Sequence, residues 1–169
     1  TESYHVPMAH KKTFALHKKP LEDYYCGEDH DHYGYHQAVQ EADTGGGAAH
    51  PRNKQLKGDW RRTMVDFFVF PCQLITLMPD FLWYITVLPQ GIGQFKATWC
   101  VAIPLEILDD IKPSEYEKWL SDLSDYMDVA NEEDKILVQA LNQGSASTIL
   151  PNGTLHPIEK NLWQFTRYL

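Results

Sequence analysis

Between residues 64 and 103 dense apolar stretches alternate with short breaks, and the stretches are rich in Phe, Trp, Tyr, Val, Ile and Thr. Residues 64–70, 73–78, 81–88 and 94–103 therefore predict four β-strands. In the last of them Phe95, Ala97, Trp99, Val101 and Ile103 alternate with Gln94, Lys96, Thr98, Cys100 and Ala102, the period-two pattern of a half-buried strand. Pro89, Gln90, Gly91, Ile92 and Gly93 predict the hairpin turn between the third and fourth strands, so the run reads as an antiparallel meander. Upstream, Tyr33, Tyr35, Gln37 and Val39 share one face of a further predicted strand. Residues 43–58 hold Gly45, Gly46, Gly47 and Pro51 among alternating charges and predict a loop. Beyond Pro104 the period changes. Ser114 is placed to cap a helix with Tyr116, Leu120, Leu123 and Met127 at i, i+4, i+7 and i+11. A second helix is predicted from Asn131 to Gln143 with Gly144 stopping it, and a third after Pro157 with Ile158, Leu162, Phe165 and Leu169 on one face. Strands first and helices afterwards predict an α+β domain, an antiparallel sheet with helices packed on one side.

Composition narrows the function classes. The 169 residues are 43% hydrophobic and 12% aromatic, enough for one packed domain and too apolar for intrinsic disorder. No run reaches the roughly 18 apolar residues of a membrane helix. Fifteen Lys and Arg against 23 Asp and Glu leave a net charge of −8, which argues against nucleic acid or an anionic membrane as the main partner. Cys26, Cys72 and Cys100 are odd in number and contain no Cys-x-x-Cys, which excludes a disulfide framework and predicts a cytoplasmic location. The three glycines lack the Lys and Ser/Thr of a phosphate-binding loop, and no Gly-x-Gly-x-x-Gly is present. The chain opens at Thr1 without a signal peptide, the expected look of a cut end.

Two regions carry candidate chemistry. His5 and His10 lie five residues apart, roughly 140° around an ideal helix, so their convergence needs a loosened turn, and Pro7 between them supplies one. In the second region Asn131 is a natural N-cap, with Glu132, Glu133 and Asp134 in the first turn. Asp134, Val138 and Leu141 at i, i+4 and i+7 share a face, and a carboxylate on an apolar face needs a cation or a metal. Glu133 borders the same face, so spacing leaves both acids open. Two imidazoles with one carboxylate make the facial triad that binds Fe(II) and keeps positions open for oxygen and substrate.

These residues carry a resemblance. Glu2, Tyr4, His5 and His10 resemble the iron-binding motif of Rieske non-haem iron oxygenases, an acid, an aromatic residue and two spaced histidines. Glu133-Asp134 with Val138 and Gln143 is similar to that family's second motif, and the resemblance selects Asp134 over Glu133 as third ligand. Gln139 replaces the motif's usual Glu, and Phe70-Pro71-Cys72 replaces a typical Phe-Pro-Asn. Residues 155–169, with Pro157, Glu159 and Trp163, are similar to the family's closing helix, so the resemblance spans the chain.

The resemblance implies a helix-grip fold, Fe(II) held by His5, His10 and Asp134, and O2-dependent hydroxylation of an organic, ring-containing substrate. It implies that Glu2 bridges His5 to a Rieske-cluster histidine of a neighbouring subunit. The Cys-x-His and Cys-x-x-His of a Rieske 2Fe–2S centre are absent here. Residues 1–169 are therefore expected to be the mononuclear-iron catalytic domain of a longer α subunit, with the Rieske domain upstream. The expected assembly is a homotrimer fed with NAD(P)H electrons by a reductase or ferredoxin.

Other readings compete. His30 and His32, alternating with Asp29 and Asp31, form a plausible surface metal grip. Cys72 and Cys100 read as packed thiols, and His17, His36, His50 and His156 as structural or exposed residues without a paired partner. A metal-free helix-grip module that carries an apolar ligand is the alternative function, and a hydrolytic zinc site is a third.

Overall fold

The computed structural model describes residues 5–12, 24–39, 49–149 and 153–169. Glu2, Tyr4, His17 and the Gly45–Gly47 run lie outside the described residues. The chain divides into two compact units, one of Thr1–Lys19 with Ile111–Thr154, the other of Pro20–Asp110 with Leu155–Leu169. Sheet and helices together make an α+β fold, as the periodicities predict.

The first unit holds α1 (His5–Ala9), and the second holds β1 (Tyr24–Cys26), β2 (Tyr33–Val39), β3 (Thr63–Val69), β4 (Gln73–Leu77), β5 (Leu82–Gly91), β6 (Gln94–Ala102) and a short α2 (Leu105–Leu108). Among the described residues the six strands form one sheet in sequence order, with every pairing antiparallel. Strand propensity places β2, β3, β4 and β6 within a residue or two of expectation, whereas β1 was not expected and the hairpin tip differs. β5 continues to Gly91, and only Ile92 and Gly93 remain as the turn. Gly91 at φ 141° and Gly93 at φ 69° supply backbone conformations that residues with a Cβ rarely adopt. The half-buried pattern expected of β6 is also incomplete. β4 pairs only with Leu82–Thr86 of β5, so the far end of the β5–β6 hairpin overhangs and leaves Leu88, Ile92 and Phe95 exposed. Cys100, expected to be packed, is exposed on this edge strand.

One sheet face receives α4 (Lys160–Tyr168), which follows a 3-10 turn at Pro157–Glu159. The helix packs through Phe165 against Phe68 and Phe70 and through Tyr168 against Phe70, with ring centroids 4.9, 5.5 and 5.6 Å apart. The buried stripe is not the predicted one. Leu162 and Leu169 are exposed, whereas Gln164 is buried over Gly34 of β2. The helix axis is set by aromatic contacts to β3 and its following turn, and that rotates the apolar pattern by part of a turn. His156 caps the 3-10 turn, its Nδ1 accepting from Ile158 N at 3.3 Å while Glu159 accepts from His156 N at 2.7 Å. Arg61 organises the irregular segment before β3, donating to the carbonyls of Ala49, His50, Asn53 and Leu56.

In the first unit α1 lies against α3 (Pro113–Ser145), a single helix of 33 residues. The two helices expected here are one, and neither Ser114 nor Asn131 is an N-cap. Lys112 holds the N-cap position and Pro113 opens the helix. No proline or glycine interrupts the residues between Pro113 and Gly144, so nothing stops propagation. Lys118–Asp122 and Glu132–Lys135 pairs support its exposed side by a few tenths of a kcal/mol each.

Candidate metal centre

His5 opens α1 and His10 stands one residue past its end, where the chain is free to turn the second ring back toward the first. Asp134 projects from the middle of α3. The three meet at single atoms. His5 Nε2 and His10 Nε2 are 3.2 Å apart, His5 Nε2 is 3.1 Å from Asp134 Oδ1, and His10 Nε2 is 3.2 Å from the same oxygen. Among the described residues this is the one group of three or more His, Cys, Asp or Glu whose donor atoms come close enough to share a metal ion.

The donor set fits a cation. Two neutral imidazoles and a carboxylate turn lone pairs toward one point, which is repulsive unless a proton or metal occupies it. An octahedral ion with bonds of about 2.1 Å separates neighbouring donors by about 3.0 Å. The observed triangle is close to that size. Nitrogen and oxygen donors without thiolate suit Fe(II), and three ligands on one face leave the opposite face open.

Electrostatics around the triangle follow from burial and charge. Burial alone would raise the Asp134 carboxyl, but hydrogen bonds and charge from His10 and His5 hold it far below the usual carboxylate range. Burial opposes a charge on His10, and the carboxylates of Asp134 and Glu133 overcome it, so its pKa lies above the ordinary value. Burial, with the Glu133 charge adding to it, pushes the Tyr126 phenol up to about 12.

The two acids that spacing left open are both engaged, at different atoms. Asp134 faces the Nε2 atoms, whereas Glu133 Oε2 lies 3.4 Å from His10 Nδ1, and Glu133 Oε1 accepts from Lys12 N at 3.0 Å. Asp134 does not project from an apolar face, contrary to the expectation from its spacing with Val138 and Leu141. Val138 and Leu141 are 40% and 63% exposed and form no apolar core face, and the Asp134 side chain is itself 41% exposed. Convergence with the two imidazoles, and not an apolar surrounding, marks this carboxylate.

The remaining histidines fall elsewhere. His30, Asp31 and His32 line a cleft of about 330 Å³ with Gln164, Arg167 and Tyr168, but they do not gather three metal donors. His30 instead stacks on Tyr33 with ring centroids 4.1 Å apart. His36, read as lacking a partner, is buried with Nε2 3.0 Å from Asp66 Oδ2. The ring of His50 faces Asp110, 4.0 Å away, and its backbone N–H donates to Asp80 at 2.8 Å.

A search of curated proteins returns no match to the chain. A sequence model of the family described as ring hydroxylating alpha subunit (catalytic domain) matches residues 1–169.

Proposed function

The chain belongs to the ring hydroxylating alpha subunit (catalytic domain) family, and from that premise we propose that it hydroxylates a ring-containing organic substrate with O2 at an Fe(II) site formed by His5, His10 and Asp134. The observation that carries this reading is the triangle of His5 Nε2, His10 Nε2 and Asp134 Oδ1 with sides of 3.1 to 3.2 Å. When bound there, the metal supplies redox chemistry and open positions at which oxygen and substrate meet. The chain supplies the geometry. The two imidazoles act as neutral ligands and Asp134 lowers the net charge of the site by one.

The wider machinery belongs to the same proposal. A Rieske 2Fe–2S cluster in an upstream domain delivers electrons drawn from NAD(P)H through a reductase or ferredoxin, in a cytoplasmic homotrimer. Glu2, which lies outside the described residues, bridges His5 to the cluster of the adjacent subunit.

Anaerobic Fe(II) titration of the purified protein tests the site. About one ion should bind per chain, and His5→Ala, His10→Ala or Asp134→Ala should each abolish binding. Full iron occupancy in the Asp134 variant overturns the assignment, because two imidazoles alone hold Fe(II) poorly. Stoichiometric zinc without oxygen dependence favours a hydrolytic site, and ligand binding without metal favours a carrier module.

A further inference from the structure

We propose that Glu133 is a positioning residue of the metal centre, holding the His10 ring so that its proton sits on Nδ1 and Nε2 presents a lone pair to the metal. The inference rests on the proposed site and extends it to a residue that does not itself ligate.

Neighbouring residues on a helix project about 100° apart. At Glu133 and Asp134 that angle places one carboxylate on each edge of the same imidazole. Asp134 Oδ1 is 3.2 Å from His10 Nε2, and Glu133 Oε2 is 3.4 Å from His10 Nδ1. A neutral imidazole has one N–H and one lone pair, and an ionised carboxylate only accepts. The nitrogen facing Glu133 must therefore carry the proton, which leaves Nε2 as the donor atom. At 3.4 Å the contact is an ion-pair approach and not an aligned hydrogen bond, and the side chains are only 6% and 12% exposed, so water screens the attraction little.

Glu133 is itself held. Its other oxygen accepts the backbone N–H of Lys12 at 3.0 Å, two residues past His10. The carboxylate thus ties the segment that carries His10 to α3 and orients the ring in one contact set. A carboxylate behind a ligating imidazole also raises the basicity of the ligating nitrogen, and losing such a partner typically weakens metal binding about 10–100-fold.

The test uses Zn(II) for NMR and Co(II) for optical titration of the purified protein. In the Zn(II)-loaded wild type the His10 Nδ1–H should resonate downfield and exchange slowly with solvent. Glu133→Gln keeps the side chain's size and its acceptor for Lys12 N but removes the charge. It should shift that resonance upfield, speed its exchange, and weaken Co(II) binding about 10–100-fold. Fast exchange of His10 Nδ1–H in the wild type overturns the proposal without any variant. So does wild-type Co(II) affinity in Glu133→Gln, and so does weaker affinity with an unchanged Nδ1–H signal. Loss of Co(II) binding in His10→Ala alone removes only the Glu133 role. Co(II) binding that survives His10→Ala removes the metal centre as well.

Discussion

Asp66 is a buried acid on β3 whose charge has visible partners on the neighbouring strands. The sheet register sets it directly opposite His36 on β2 and Thr76 on β4, and it pairs with the first and accepts the hydroxyl of the second. Burial raises its carboxyl, but the His36 hydrogen bond and charge, with Thr76, overcome that and hold the pKa below the ordinary value. The native state therefore binds the Asp66 proton less readily than the unfolded chain does. The resulting stability is present above the unfolded value near about 4 and is lost as pH falls through the lower native value. Asp66→Asn should destabilise the protein by about 2–4 kcal/mol at pH 7, because it removes the carboxylate acceptor that the buried His36 ring and Thr76 hydroxyl share. In urea unfolding at pH 7, 5 and 3.5 the gap to wild type should narrow only at the lowest pH. A constant gap would mean that shape, and not charge, explains the loss. This pairing was not legible along the chain, since thirty residues separate the partners and only strand pairing makes them neighbours.

At the scale of elements, the seat of α4 on β2 depends on a missing side chain. A Cβ at Gly34 would lie 2.7 Å from Gln164 Oε1 and 2.8 Å from Asn161 Oδ1. Neither side chain can retreat cheaply. Gln164 is 3% exposed and donates to Glu28 O, and Asn161 stands against His36 Nδ1 at 3.4 Å. Gly34→Ala should cost about 1–3 kcal/mol and loosen α4 first, visible as faster amide exchange across Lys160–Tyr168. Gly153→Ala, where a Cβ meets nothing within 4 Å, is the matched control. Equal behaviour of the two variants would show that the close approach carries no weight. Sequence pattern found α4 but not its buried stripe, because a short amphipathic helix is turned by whatever it lands on. It also divided α3 in two, because an Asn followed by acids looks the same whether it begins a helix or continues one.

At the scale of the whole molecule, the proposed oxygenation needs a source of electrons. The 169 residues contain three cysteines, no Cys-x-His or Cys-x-x-His, and no dinucleotide fingerprint. An iron-loaded preparation of this chain alone should therefore show no NADH-dependent hydroxylation, and product should appear once a Rieske-type carrier and a reductase are supplied. Steady NADH-coupled oxygen uptake by the chain alone would refute that dependence. No described helix is long and apolar enough to cross a membrane, α3 being long but heavily charged.

The sequence by itself determined the antiparallel meander of residues 64–103, which is written in local periodicity, and its short motifs singled out by resemblance the histidines and the acid that meet. Spacing left Glu133 and Asp134 open and the resemblance chose Asp134, but only the tertiary structure shows which nitrogen of His10 each acid faces. Adjacent acids on a helix are equivalent until the His10 ring, just past the end of α1, is placed between them with one nitrogen toward each. It also decided the partners of His36 and the face of α4, since both depend on which strands and rings come to lie opposite. Local pattern sets what each residue offers, and the packed geometry sets which atom receives it.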